Sequence, residues 1–454
     1  MDGLSCFKSY DVRGRLGVEL DDGVAYRIGR GFAAALAPGL TVTGRDIRET
    51  SPGLQEALMA GLRDGGSDVV DIGLCGTEEV YFATDHFGAG GGIMVTASHN
   101  PIDYNGMKLV GPGSTPLSAD AGLGAVHDAA LEDLRPVETP GALRREDPRG
   151  AFVARCLSFI EPAMLKPLKI VVNSGNGAAG PTFDAIADAL SDTPLDLVRL
   201  HHAPDPTFPN GIPNPLLPEN QPVTADAVRA AGADFGVAFD GDFDRCFFFD
   251  ETGAFVPGEY VVGLLAGAFL AKTPGARIVH DPRVVLNTRA VIAEGGGEAV
   301  VSRTGHAHLK AKMREVDAVY GGEMSAHHYF RDFMYCDSGM IPWLLMADYV
   351  SRTGRSLGDL VSGARAAFPS SGEINFRLRD AAAARAAFEE AYASSADHVD
   401  RLDGLSLTYP EWRVNLRASN TEPVLRLNVE ARGDAALVAA KVDEISALLQ
   451  ATGA

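Results

Sequence analysis

The chain has 454 residues, 46% of them hydrophobic, with 60 acidic against 40 basic side chains and a formal charge of -20. That length and apolar content exceed one ordinary core and predict three or four domains. The acidic balance disfavours nucleic acid or an anionic membrane as a partner, since both reward basic surfaces, so an anionic substrate has to meet a local basic pocket. Five dispersed cysteines (Cys6, Cys75, Cys156, Cys246, Cys336) without a C-x-x-C indicate neither a disulfide framework nor a zinc site. The opening MDGLSCFKSYDVRG has no apolar signal core, and the longest apolar stretch, VVGLLAGAFLA from Val261, is too short to span a bilayer. A cytoplasmic protein with reduced thiols is expected.

Along the chain, three segments share one plan: an apolar strand, a loop bearing Gly or Asp, an alanine- or leucine-rich helix, a Gly break and another strand. The first begins near Thr41 and leads to IMV at residues 93–95, followed by the small-residue loop TASHNP at 96–101. A charged linker with Pro and Gly, 132–150, separates it from the second, which begins near Lys169 and reaches the run FGVAF and then DGDFDR at 240–245. After the turn-like DETGAFVPGEY, the third begins near Arg277. Strands alternating with helices at this spacing predict three α/β domains. Beyond Pro369 the pattern changes to an alanine-rich helix over 381–395, the strand-like LSLTYP, RVNLRAS and VLRLNVEA, and an amphipathic helix over 436–449, which together predict a small α+β domain. The expected boundaries are 1–147, 148–250, 251–367 and 368–454.

The loops carry the chemistry. Asp240, Asp242 and Asp244 alternate about Gly241 in DGDFDR, between apolar runs that predict buried strands. Three carboxylates turned onto one point supply oxygen ligands for a hard cation such as Mg²⁺, and without one they repel. Mg²⁺ asks in turn for a phosphate oxygen, which Ser98 of TASHNP can provide if it carries a phosphoryl group, with Lys108 of NGMK close behind in sequence. Read alone, Ser98 also suits a helix cap, or a Ser-His hydrolase with His99 as base. The hydrolase is disfavoured because adjacent side chains on an extended loop point apart and no G-x-S-x-G elbow exists.

Four motifs, TASHNP, DGDFDR, GEMSAHH (322–328) and RASNTEP (417–423), occur in the order and spacing of the α-D-phosphohexomutase family. The resemblance covers nearly the whole chain and is greatest to the bacterial phosphomannomutase/phosphoglucomutase branch. It implies three related α/β domains with mixed sheets and a C-terminal α+β domain resembling the TATA-binding protein fold, set around a central cleft. It implies that Ser98 is the phosphoserine and that Asp240, Asp242 and Asp244 bind Mg²⁺ together with its phosphate. Arg245 would steady the transferring group, Arg13 and Tyr10 of YDVRG would lie beside it, Lys108 would handle a proton, and His99 would shape the loop.

Further resemblances make Glu323 and Ser325 readers of sugar hydroxyls, with His327 the aligned histidine of that loop; His328 gains no role. Gly305 and His306 of TGHAHLK match a sugar-contacting Gly-His, His306 being a second acid/base candidate, while His308 reads as structural. Arg283 of HDPRVV resembles a substrate contact. Arg417, Ser419, Asn420 and Thr421 would grip the phosphate that is not being transferred. The implied activity is reversible interconversion of hexose 1-phosphates and 6-phosphates through a 1,6-bisphosphate, which also serves as activator; the partners are small sugar phosphates.

Other readings compete. GNGAAG, 175–180, fits the dinucleotide-binding G-x-G-x-x-G, but no convincing acidic residue ends the next strand, LDLVRL, and a tight turn packing a helix on a sheet explains it equally well. A metal-dependent sugar phosphatase with an aspartate nucleophile leaves TASHNP and RASNTEP without work. A phosphoglucosamine mutase of the same family and a sugar-phosphate-binding regulator complete the alternatives; the form GEMS, where glucosamine enzymes usually carry Gln in place of Met324, points to mannose and glucose.

Overall fold

The computed structural model describes residues 4–418 and 424–453, in two compact units: Met1–Phe255 with His327–Ser356, and Val256–Ala326 with Leu357–Ala454. The first unit holds a mixed sheet in the spatial order Val12–Arg15, Tyr104–Val110, Gly91–Val95, Leu40–Arg45, Asp68–Leu74, Leu143–Arg145. The last four of these run parallel, whereas Tyr104–Val110 is antiparallel to both of its neighbours. The two strands at that edge, Val12–Arg15 and Tyr104–Val110, had no period strong enough to be read from sequence. Tyr104–Val110 sets Lys108 beside the strand that feeds TASHNP, registered against Met94, and Val12–Arg15 sets Arg13 one strand further out, against Gly106.

A second sheet in the same unit sets Phe235–Phe239 parallel to Leu168–Asn173 and antiparallel to Cys246–Phe249, so DGDFDR is the connection of a buried antiparallel pair. Every residue of those two flanking strands is buried, which is why the sequence shows continuous apolar runs rather than alternation. The hairpin formed by His328–Phe330 and Cys336–Asp337 and the buried helix Met340–Thr353 complete the unit.

In the second unit, Glu298–Val301, Arg277–His280 and Tyr320–Gly322 are parallel in that order. The C-terminal part is an antiparallel sheet ordered Ile374–Phe376, Leu425–Ala431, Trp412–Ala418, Leu405–Thr408, His398–Asp400, with helices Ala381–Tyr392 and Ala435–Thr452. The period of two divides its central strands. Trp412, Val414 and Leu416, with Leu425, Leu427, Val429 and Ala431, join the apolar core that includes Phe388 and Leu449. The alternate residues face the other way as cross-strand pairs: Arg413 with Glu430, Asn415 with Asn428, and Arg417 with Arg426. Among the described residues no helix is long and apolar enough to cross a membrane.

Candidate active site

The strand Gly91–Val95 ends in a loop that buries Ser98 to 3% exposure and holds it at φ +50°, a left-handed conformation uncommon for a residue with a side chain. The loop is pinned from behind. Arg48, 2% exposed, donates to the carbonyl oxygens of Ser98, Asn100, Pro101 and Tyr104, and Thr96 Oγ1 accepts from the Ser98 amide at 2.8 Å. Nothing in GRDIRET marks Arg48 for this role, since a charged residue before a helix reads as solvated.

Ser98 Oγ donates to Asp240 Oδ2 at 2.7 Å, which ties TASHNP to DGDFDR. The two loops touch by backbone: a Cβ placed on Gly241 would lie 2.6 Å from the Ser98 carbonyl oxygen, so glycine is required. The glycine-rich turn 175–180 supports this contact from the other side, since a Cβ on Gly177 would lie 2.8 Å from the Gly241 carbonyl and Ala178 N donates to that same oxygen at 3.0 Å. Its glycines therefore serve close packing, as the structural reading of GNGAAG anticipated.

Asp240, Asp242 and Asp244 are all buried, and one oxygen from each lies within 4.8 Å of the others. Asp240 Oδ2 also accepts from Arg245 Nε at 2.9 Å and Nη2 at 2.7 Å. Asp242 Oδ2 accepts from Thr77 Oγ1 at 2.6 Å and Lys108 Nζ at 2.7 Å, and Lys108 also reaches Asp244 Oδ2. Burial pushes the Asp244 carboxyl well up, and the Asp242 charge adds to it. Burial would lower Lys108, but Asp242, Asp244 and Asp240 outweigh it and hold the ammonium above the ordinary lysine range. Asp242 Oδ1 and Asp244 Oδ1 remain buried with no hydrogen-bond partner. Converging carboxylates with two unused oxygens fit a small hard cation.

The expectation that Ser98 and His99 point apart is corrected by the structure. The positive φ of Ser98 folds the chain so that His99 Nδ1 lies 3.0 Å from Ser98 Oγ. His99 is nevertheless poorly placed as a base, because Arg245 Nη2 also contacts Nδ1 and engages its lone pair. Burial, then the Arg245 and Arg13 charges, lower its pKa well below 6.5. Arg13 pairs with Asp11 at 2.8 Å and donates to Asn100 Oδ1, while Tyr10 is half-buried. His327 belongs with this group: it bridges to the Arg245 backbone, its Nε2 is 3.7 Å from Asp244 Oδ1, and the buried Asp337 is clustered with both. Thr77 and Asp337, like Arg48, were not singled out from sequence.

The second unit gathers another group. Gly305, at the start of helix His306–Val316, donates its amide to Glu323 Oε1 at 2.9 Å. Arg283 donates to Asp281 Oδ2 at 2.7 Å and to Ser325 Oγ at 3.3 Å, and stands 3.7 Å from Glu323. Arg413 reaches the carbonyl oxygens of Pro282 and Arg283 from the C-terminal sheet, tying that turn down. Arg417, 3% exposed, donates to Glu373 at 3.1 Å. Thus Arg283, Gly305, Glu323 and Ser325 are brought together, with His306 half-buried at the head of the adjoining helix. Ser419, Asn420 and Thr421 lie outside the described residues.

Comparison with known proteins gives a consistent result over the full length. Profiles described as phosphoglucomutase/phosphomannomutase alpha/beta/alpha domains I, II and III match residues 5–127, 151–253 and 257–367, and that of the C-terminal domain matches 373–448. The chain is 58% identical to a phosphomannomutase of Salmonella montevideo, over 99% of this chain and 100% of that protein. It is 56% identical to a protein named phosphohexose mutases in Xanthomonas campestris pv. campestris, over 98% and 99% of the two chains. Among solved structures, a phosphoglucomutase/phosphomannomutase family protein of Burkholderia thailandensis superposes with a TM-score of 0.88 at 34% identity, covering 100% of this chain and 98% of that one.

Proposed function

The chain belongs to the phosphoglucomutase/phosphomannomutase family, and from that membership we propose that it is a phosphomannomutase with phosphoglucomutase activity, reversibly interconverting hexose 1- and 6-phosphates. The observation that carries the reading is Ser98 Oγ, buried and 2.7 Å from Asp240 in a loop that Asp242, Asp244, Lys108 and Arg245 surround. In the working enzyme Ser98 carries a phosphoryl group. An oxygen of the substrate's free hydroxyl bonds to that phosphorus as the Oγ–P bond breaks, giving a hexose 1,6-bisphosphate; the other phosphate then returns to Ser98, and the protons lost and gained by the hydroxyls balance. Hexose 1,6-bisphosphate accordingly serves as activator, since it phosphorylates an unmodified Ser98.

Asp240, Asp242 and Asp244 would hold Mg²⁺ with Ser98's phosphate, and the ion would supply charge neutralisation for the transferring group. This chain's own residues position and neutralise. Arg245, locked on Asp240, presents a planar donor to phosphoryl oxygens. Lys108, kept protonated by its carboxylate neighbours, holds a proton beside the nucleophile loop. Arg13 fixes the loop through Asn100, and Tyr10 lies next to it. In the second unit Glu323 and Ser325, with Gly305, His306 and Arg283, read the sugar, and His327 acts beside Asp244. Arg417 with Ser419, Asn420 and Thr421 grips the idle phosphate. A site that reads the 3- and 4-hydroxyls accepts both mannose and glucose, which differ at the 2-hydroxyl. Five buried free cysteines agree with action in the cytoplasm.

A sugar phosphatase with Asp240 as nucleophile is disfavoured, since its Oδ2 is already engaged by Ser98 and two Arg245 nitrogens. The test is a phosphorus NMR time course with Mg²⁺, a trace of glucose 1,6-bisphosphate, and mannose 1-phosphate or glucose 1-phosphate in parallel. Conversion to the 6-phosphates without inorganic phosphate is expected. Accumulation of inorganic phosphate would establish the phosphatase instead, and an unchanged spectrum in both tubes would refute the substrate assignment.

A further inference from the structure

The polar face of the C-terminal sheet contains an arrangement that folding alone does not favour. Arg417 on Trp412–Ala418 and Arg426 on Leu425–Ala431 are direct cross-strand partners. Like charges directly opposite on an antiparallel pair are destabilising. The other polar pairs on that face are complementary, Arg413 with Glu430 and Asn415 with Asn428. Arg283 adds a third guanidinium nearby, and its repulsion, after burial, lowers the Arg417 pKa.

Glu373, just before the edge strand Ile374–Phe376, is the carboxylate that meets all three. Its Oε2 accepts from Arg417 Nη2 at 3.1 Å and Arg283 Nη1 at 3.5 Å, while Oε1 lies 3.3 Å from Arg426 Nη1. Burial pushes the Glu373 carboxyl up, but Arg283, Arg426 and Arg417 outweigh it, so the group is held ionised. Arg283 is also paired with Asp281 and stands 3.7 Å from Glu323. One carboxylate thus serves several guanidinium groups, and Arg283 Nε and Arg417 Nε are buried without a hydrogen-bond partner. The cluster has N–H donor capacity to spare for a second, incoming anion.

We propose that Glu373 is a resident counter-ion that competes with the idle phosphate for Arg417 and Arg426, limiting the grip of this nest so that the bisphosphate can be released and turned round. The inference rests on the mutase reading and adds Arg426 and Glu373 to the phosphate nest. A site that holds one phosphate and must then exchange it for another gains nothing from maximal affinity, because the release step slows as binding tightens. A carboxylate already seated among the guanidinium groups lowers the net gain on phosphate binding while keeping the arginines oriented.

The sign of the effect makes the inference testable. Glu373→Gln keeps the shape and removes the charge; the variant should bind glucose 1,6-bisphosphate more tightly, lower KM and lower kcat, each by ~3- to 10-fold for one lost charge. The tightening should vanish in the Glu373→Gln/Arg417→Ala double variant, and Arg426→Ala should weaken bisphosphate binding. A thermal melt of each variant establishes that it is folded. If Glu373→Gln, folded, binds the bisphosphate more weakly or unchanged, while Arg417→Ala alone loses affinity, Glu373 is only an organiser and the inference is overturned. If Arg417→Ala leaves affinity unchanged in a wild type that converts hexose phosphates, the phosphate-nest assignment falls and the inference falls with it. Absence of turnover in the wild type with both sugars is the separate failure of the mutase reading.

Discussion

Gly241→Ala tests whether the backbone contact between the two catalytic loops sets the reaction geometry. The new methyl would lie 2.6 Å from the Ser98 carbonyl oxygen, and restoring an ordinary contact of 3.4 Å requires the loops to part by about 0.8 Å. Neither side yields easily. The Ser98 carbonyl is held by Arg48, and the Gly241 carbonyl accepts from Ala178 N. The Ser98 Oγ to Asp240 bond of 2.7 Å would lengthen or rotate out of line. Displacements near 1 Å cost roughly 100-fold in rate when positioning carries catalysis, so kcat should fall about 10- to 100-fold. Overpacking should cost about 1–3 kcal/mol of stability. The assay is conversion of mannose 1-phosphate followed by phosphorus NMR, paired with urea unfolding to show that the variant is folded. Activity within twofold of wild type would refute the claim that this contact positions the nucleophile.

Three further outcomes are expected. Ser98→Ala should abolish turnover and the covalent phosphoryl label detected by intact-protein mass spectrometry while leaving the melting temperature nearly unchanged; residual wild-type activity would remove Ser98 as nucleophile. Arg48→Ala leaves buried carbonyls without a donor and Asp46 without its 3.6 Å partner, so it should cost about 3–5 kcal/mol in urea unfolding; a loss below 1 kcal/mol would show that the loop holds itself. Burial, with the Glu430 and Asp281 charges nearby, raises the Glu259 carboxyl from 4.5 to about 7. The folded chain therefore binds that proton more tightly than the unfolded one. This contribution to stability is complete below pH 4.5 and is lost as pH rises through 7, amounting to roughly 3 kcal/mol. Glu259→Gln should flatten that part of the urea-unfolding profile between pH 5 and 8, and an unaltered slope would refute the assignment.

What could be read in the sequence was what is local. TASHNP and DGDFDR stood out because each is a short polar loop against buried strands, and RVNLRAS and VLRLNVEA read as strands of a small α+β domain, whereas their antiparallel pairing and single polar face emerge only in the structure. Which polar residues oppose each other on that face depends on register, so Arg417 was identified through its motif while its cross-strand partner Arg426 was not. Arg48, Thr77 and Glu373 were missed for a related reason: each acts on residues far along the chain, and a charge or hydroxyl in isolation reads as solvated. The Ser98–His99 geometry depended on a single backbone dihedral, which residue type does not dictate outside glycine. The glycine turn GNGAAG carried a genuine signal, close backbone approach, but the partner was the Gly241 carbonyl rather than a dinucleotide.

The two polar groups share one electrostatic logic with opposite signs. In the first unit three aspartates, Asp240, Asp242 and Asp244, are paired with Lys108 and Arg245. In the second, Arg283, Arg417 and Arg426 share Glu373, and Arg283 also faces Asp281 and Glu323. Charges this deeply buried would oppose folding if left uncompensated, so each cluster carries most of its own counter-charge. Each cluster also keeps unpartnered atoms of the kind its proposed ligand needs, the carboxylate oxygens Asp242 Oδ1 and Asp244 Oδ1 for a cation in the first and the N–H donors Arg283 Nε and Arg417 Nε for a phosphate in the second. It follows that the counter-ions are functional variables and not only structural ones. Removing Lys108 or Glu373 changes how much charge a ligand must supply, so such variants should shift ligand affinity in a direction set by the sign of the charge removed, whereas loss of a purely structural contact would weaken binding in both.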